Sequence, residues 1–224
     1  MNECLIENMY DLSHTIAADF LQTVRYPWEL LDGIADCIRA LGPMLDPKVY
    51  EQRGEDIWVA RSAKIYDSAY LSGPLLIDER AEVRPCAFIR GSAIVGKEAV
   101  VGNSTELKNV ILFDGVQVPH YNYVGDSILG YKAHMGAGSI TSNVKADKHN
   151  VVIQNGVKQI DTRRRKVGAF LGNHAEIGCN TVLNPGTVVC PDSNVYPVQS
   201  VRGVIPPGSI YKDPAHIVTK RCGT

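Results

Sequence analysis

The sequence predicts an all-β fold, a parallel β-helix of hexapeptide repeats with a small N-terminal helical segment, and three observations carry that prediction. Every sixth residue from Val59 is apolar through Ile65, Leu71, Ile77, Val83, Ile89, Val95, Val101, Leu107 and Phe113, and a second run follows at Leu171, Ile177, Leu183, Val189, Val195 and Val201. Four residues after most of these stands a small side chain, as at Ala63, Ala69, Ala81, Ala87, Ala93 and Ala99. Aromatics make up only 7% of the chain, against 20 glycines and 12 prolines. Period six matches neither an amphipathic helix nor an alternating strand. It matches short strands joined by tight corners, with the aliphatic residue inward and the small residue beside the turn. Three such units close a coil of about 18 residues, so residue i stacks on residue i+18 about 4.8 Å away.

The elements follow in order. Residues 1–56 lack the period and read as a helical cap and linker. Asp11 or Ser13 caps a helix through about Thr23, and Pro27 opens a second from Trp28 to about Ala40, ended by Gly42-Pro43. These helices are expected to cover the open end of the solenoid, because an exposed end coil invites edge pairing. Residues 57–211 form the solenoid, with a phase slip near Pro119. Residues 142–165 are polar, break the period and read as a loop ejected from one corner, the kind of long loop that tends to carry function. Residues 212–224 read as an extended tail.

Composition narrows the function. Lys plus Arg is 23 and Asp plus Glu is 24, which gives no basic excess for a nucleic-acid partner. No apolar run is long enough to span a membrane, and the N-terminus lacks the basic-then-apolar pattern of a secretory signal. The six cysteines (Cys4, Cys37, Cys86, Cys179, Cys190 and Cys222) form no CxxC pair and have no His at zinc-finger spacing. A reduced, cytoplasmic protein without a disulfide framework or a metal is expected.

Stacking at i+18 puts Arg90 and Lys108 on one face of adjacent coils. Two cations at that distance repel unless an anion joins them, and phosphate is the natural one. The alternative is a solvated pair beside Glu98 or Glu106. His120 interrupts the repeat where the phase slips, and is either a structural histidine or a general base. Tyr121 and Tyr123 share one side of an extended segment, as ligand contacts or as packing. Met135-Gly136-Ala137-Gly138-Ser139 offers a corner where backbone amides approach a ligand closely. The Arg163–Lys166 run either meets a phosphate-rich cofactor or is a solvated charge run.

The stretch from Val101 to Asn143 (VGNSTELKNVILFDGVQVPHYNYVGDSILGYKAHMGAGSITSN) closely resembles the acetyltransferase domain of bifunctional N-acetylglucosamine-1-phosphate uridyltransferases. It is similar also to archaeal sugar-1-phosphate nucleotidylyltransferase/acetyltransferases. The elements GN-x-x-E-[LM]-K, PH-x-x-Y-x-GD and GAG-[ST]-IT-x-N stand in the same order and spacing. The resemblance implies a left-handed coil, a homotrimer with sites between subunits, and acetyl transfer from acetyl-CoA to the amine of an amino-sugar 1-phosphate. It implies His120 as catalytic base; Arg90, Lys108, Glu106, Tyr123, His134, Asn143 and Lys148 as substrate contacts; and Ala137, Gly138 and Asn173 as acetyl-CoA contacts. His134 departs from the Asn that the family carries there, and Lys145, Lys148 and His149 are all candidates for its loop lysine. The 50 residues before the repeats cannot build a nucleotidyltransferase domain, so uridyl transfer is not expected. The competing expectation is a non-catalytic β-helix that binds a sugar phosphate or nucleotide-sugar.

Overall fold

Parallel strands of two to seven residues stack on three faces and wind a left-handed β-helix. The structure is a computed structural model and describes residues 1–220. On the first face Ile65, Val83, Val101 and Val118 stand opposite one another on successive rungs. On the second face Leu71, Ile89, Leu107 and Val124 do the same. On the third, Val59, Ile77, Val95, Leu112 and Leu129 form the ladder. Apart from Ile65 and Leu71 on the first coil, these inward side chains are fully buried. The phase slip is a coil shortened from 18 residues to 17, seen where Val101 pairs with Val118 rather than Pro119.

Corners recur at Arg80, Cys86, Ser92, Glu98 and Ser104, which all hold φ between +52° and +61°. A side chain there costs on the order of 1–3 kcal/mol. Stacking offsets it where the corner amide finds an acceptor one coil below. Glu98 N–H donates to Glu79 O (3.0 Å), Asn109 N–H to Gly91 O (3.2 Å) and Cys86 N–H to Ser68 Oγ (3.2 Å).

The third face carries a second ladder that the hexad scan does not reveal. Trp58, Leu76, Ile94, Ile111, Ile128, Phe170 and Val188 pair rung to rung at the middle of their strands, so they point away from the interior. All are nonetheless buried. The N-terminal segment covers them: Trp28 packs on Phe170 at 5.8 Å between ring centroids, and the helix Ile34–Leu41 lies over Leu75–Ile77, Ala93–Val95 and Glu106–Leu112. Gly42 sits flat on the Trp58 indole, where a Cβ would fall 2.2 Å from the ring. Each such Leu, Ile or Phe contributes about 1.5–3 kcal/mol by leaving water.

This placement corrects two expectations. The helices flank a side of the solenoid rather than its open end. The ends are closed by antiparallel strands instead: Tyr50–Gly54 pairs with Ile57–Ala60 at the start, and Ser209–Asp213 with His216–Thr219 at the finish. The stretch read as an extended tail is therefore a hairpin as far as Thr219, while Cys222 lies outside the described residues. The two long helices are also broken up. Asp11 does cap, accepting from Ser13 N–H at 3.0 Å, but only over the 3-10 turn Leu12–His14. Pro27 opens the 3-10 turn Pro27–Leu30, and regular α-helix waits until Ile34. In the first, competition contributes: His14 O accepts from Asp114 N–H, so a carbonyl that would propagate the helix binds the solenoid instead.

The 142–165 segment leaves and re-enters the stack between Ile128 and its partner Phe170. It folds into a two-stranded hairpin, Val152–Asn155 against Lys158–Asp161, and buries Val151 and Ile153. No helix among the described residues is long and apolar enough to cross a membrane.

Two outcomes follow. Phe170→Ala lowers stability by about 3–5 kcal/mol in urea unfolding, and a loss below about 1 kcal/mol shows that the helical flank does not depend on this ladder. Burial raises the phenols of Tyr10, Tyr50, Tyr123 and Tyr211 above their ordinary value of 10.0, and Tyr50 donates to Asp78 besides. The folded chain thus holds protons that the unfolded chain releases above about pH 10. Burial likewise raises the thiols of Cys4 and Cys37 to about 11 and of Cys190 to about 12 from an ordinary 9.0, so the urea midpoint falls as pH rises beyond about 9, and more steeply beyond 10.

Candidate active site

The strand Gln117–His120 ends the first face, and Tyr123–Leu129 begins the second. Between them Tyr121 takes a left-handed conformation at φ +52° and Asn122 turns inward, only 2% exposed. Asn122 is the clamp of this corner. Its Oδ1 accepts from His120 N–H (3.1 Å), and its Nδ2 donates to Gly136 O (2.9 Å) and Ser139 O (3.0 Å) on the next coil. Gly138 N–H donates to His120 O at 3.0 Å. These bonds fix the backbone of His120 against the Gly136–Ala137–Gly138 corner and leave the imidazole exposed. Imidazole is the side chain suited to taking a proton near neutral pH.

Three residues past His120 a polar network begins. Tyr123 stands opposite Glu106. Glu106 Oε1 accepts from Arg90 Nε at 2.6 Å, and this ion pair raises the guanidinium pKa further. The Tyr123 hydroxyl accepts from Asn143 Nδ2 (3.2 Å), and burial, followed by the charges of Asp126 and Glu106, raises its pKa. Asp126, 3% exposed, is the hub. Its Oδ1 accepts from Lys108 Nζ (2.7 Å) and Asn109 Nδ2 (2.9 Å), and its Oδ2 from Asn143 Nδ2 (2.6 Å).

The structure therefore brings together five of the expected substrate contacts (Arg90, Glu106, Lys108, Tyr123 and Asn143), with His120, Ala137 and Gly138 at the adjoining corner. Leu107 opposite Ile89 puts Lys108 beside Arg90, as stacking requires. No anion is needed to hold them there, because each cation already has a carboxylate. Of the two acids named as neighbours, Glu106 takes Arg90 while Glu98 pairs with Arg80 instead.

Three expected residues lie elsewhere. His134 is opposite Gln117 and Glu176 on the first face, its Nδ1 2.8 Å from Glu176 Oε2 in a groove shared with Lys132 and Glu98. Lys148 lies on the 142–165 segment with Lys145, His149 and Arg165. Asn173 accepts from Tyr131 N–H at 2.9 Å and donates its own N–H to Met9 O, so it ties a corner to the N-terminal segment. Sequence reasoning missed Asn122, Asp126 and Asn109 as site residues. Asn109 and Asp126 share the left-handed corner position begun by Ser92, a stack that the spacing encodes. Among the described residues no group of three or more His, Cys, Asp or Glu is placed to hold a metal ion.

Comparisons with known proteins bear on this arrangement. A family model described as "GMPPB C-terminal domain" matches residues 71–203. A bifunctional sugar-1-phosphate nucleotidylyltransferase/acetyltransferase of Sulfurisphaera tokodaii is 30% identical over 166 residues, covering 66% of this chain and 41% of the relative. A bifunctional protein GlmU of Methanococcus maripaludis is 28% identical over 179 residues, covering 71% of this chain and 43% of the relative. The chain thus spans about two fifths of the length of these curated relatives. Among solved structures, the polySia-specific acetyltransferase NeuO aligns with a TM-score of 0.49 at 15% identity, over 70% of this chain and 80% of that one.

Asn122→Ala strands several buried partners at once, and a stability loss of roughly 1–3 kcal/mol is expected in thermal or urea unfolding. A silent substitution contradicts the clamp.

Proposed function

The chain belongs to the GMPPB C-terminal domain family, and we propose that it is a hexapeptide-repeat N-acetyltransferase, moving an acetyl group from acetyl-CoA to the amine of an amino-sugar 1-phosphate. The observation that carries this reading is the position of His120. Its backbone is pinned by Asn122 beside a corner of small residues and three residues from the Arg90–Glu106–Tyr123–Asn143–Asp126–Lys108 network. The name of the Sulfurisphaera tokodaii relative, a bifunctional sugar-1-phosphate nucleotidylyltransferase/acetyltransferase, supports the same chemistry.

In this mechanism Tyr123 and Asn143 orient the sugar through its hydroxyls. His120 takes a proton from the amine as its nitrogen bonds to the thioester carbonyl carbon, and the carbon–sulfur bond then breaks. The sulfur leaves with a proton as the free thiol of CoA. Gly138 N–H is committed to His120 O, whereas Ala137 N–H makes no hydrogen bond among the described residues and is the donor for the oxyanion. Positioning supplies the rest of the rate gain. The small side chains of this corner fit the close approach of a thioester.

A homotrimer with the site between subunits goes with this reading. The exposed Tyr70–Phe88 pair, 5.3 Å between centroids, lies on the face of Glu106 and Tyr123 and supports burial there by a second copy. Reduced thiols at Cys4, Cys37, Cys86, Cys179 and Cys190 support a cytoplasmic setting. A second reading, a sugar-phosphate or nucleotide-sugar binding protein without turnover, is favoured by His134, which pairs with Glu176 on another face rather than joining the site.

Thiol release from acetyl-CoA with a panel of amino sugars separates the two. Turnover that falls about 100-fold or more in His120→Ala, with acceptor affinity kept, is expected of the enzyme. Binding without any turnover in the unmodified chain sinks it in favour of the second reading.

A further inference from the structure

The cations expected to hold phosphate are already spoken for. Lys108 is bound to a carboxylate that is 4% exposed, so a phosphate that drew Lys108 away would leave Asp126 buried and charged with only amide donors. Arg90 is held by Glu106 at 2.6 Å. Cations without such partners lie next door. Two residues past Asn143, at most about 7 Å along the chain, Lys145 opens a groove of about 440 Å³ lined with Lys148, His149, Asn150, Asp161 and Arg165. Lys145 also lines an adjoining hollow of about 190 Å³ with Gln154, Gln159, Arg202 and Gly203. Asp147 pairs with Lys145 at 3.0 Å, and Asp161 accepts from Arg163 N–H at 2.7 Å. Lys148, Arg165 and Arg202 make no ion pair among the described residues. Four cations thus face two carboxylates across two adjoining hollows that share one lysine.

We infer that this paired groove holds a diphosphate, and that the 1-phosphate of the acceptor sugar therefore carries a second, esterified phosphoryl group. The inference rests on the acetyl-transfer reading above and narrows its acceptor. A single phosphate engages one hollow and one or two cations. A diphosphate reaches across Lys145, with Lys148 and Arg165 on one side and Arg202 on the other, and Arg contributes paired donors to each phosphoryl group. The sugar end then lies toward Asn143 and Tyr123, which puts the amine on the His120 side. The hairpin that the solenoid ejects is, in this view, one wall of the acceptor site.

Calorimetric titration of the full chain with inorganic pyrophosphate and with inorganic phosphate tests this. Pyrophosphate is expected to bind about tenfold or more tightly than phosphate, and Arg165→Glu and Arg202→Glu each to weaken it by about tenfold. Unchanged melting temperatures show that the variants fold, with Arg165→Gln and Arg202→Gln as milder replacements. Equal affinity for the two anions, indifference of the variants, or no binding at millimolar concentration overturns the proposal. UDP, GDP and a short-chain alkyl diphosphate are separate arms, and the tighter binder identifies the linked group as nucleoside or lipid-like. The two readings fail separately. Turnover with a free 1-phosphate that ignores Arg165→Glu leaves acetyl transfer standing and removes the diphosphate. Pyrophosphate binding with no thiol release from any acceptor does the reverse.

Discussion

Coil-to-coil registry is the constraint on which everything else in this molecule depends. Each rung is too short to be stable alone, and each corner holds a side chain in a costly conformation. Both are sustained only because the next coil presents an acceptor for the corner amide and an aliphatic side chain beneath the inward one. The same registry delivers chemistry. Residues 17 or 18 apart become neighbours, so Arg90 stands beside Lys108, Asn109 meets Asp126, and Asn122 reaches the carbonyl of Ser139. Asn122 fills the inward corner position that Ala87, Thr105 and Ser139 hold on neighbouring coils, and its amide bonds the carbonyls of the next coil.

Burial and charge divide the molecule into regions with different tasks. The third face is covered by the N-terminal segment through an apolar ladder, with backbone bonds from Met9 and His14 to the solenoid. Arg164 strengthens this join by pairing with Asp32 and donating to Glu29 O. The cover also anchors the base of the ejected hairpin, since Arg164 lies at its end. The first two faces stay open and carry the polar network. The two functional regions are thus built on a flank that the N-terminal residues make rigid.

The electrostatics of the pocket around Asp126 follow from what is buried. Asp126 is deep enough that its charge must be answered by protein, and Lys108 with two Asn amides answers it. That arrangement orients Asn143 and, through it, the Tyr123 hydroxyl. It suits recognition of hydroxyls and an amine better than capture of a phosphate. The cations left unanswered are on the hairpin and the last coils. A net charge of −1 over the chain therefore conceals a local basic groove beside an internally neutral pocket.

The sequence by itself determined the inward ladders, the corners, the position of the phase slip and the motif residues His120, Arg90, Glu106, Lys108, Tyr123 and Asn143. It could do so because a solenoid converts spacing into contact: what repeats every six residues along the chain repeats in space. Only the tertiary structure decided what lies outside that arithmetic. The outward ladder from Trp58 to Val188 recurs once per coil rather than once per strand, so a period-six reading averages it away, and with it the reason the helices flank a side. The first helix broke into short turns where the solenoid takes the His14 carbonyl that would have extended it. His134 and Asn173 lie apart from the motif residues, one paired with Glu176 on another face and the other tied to Met9 at a corner. Asn122 and Asp126 are polar residues whose importance comes from burial, and burial is a property of the folded coil that no single strand of sequence displays.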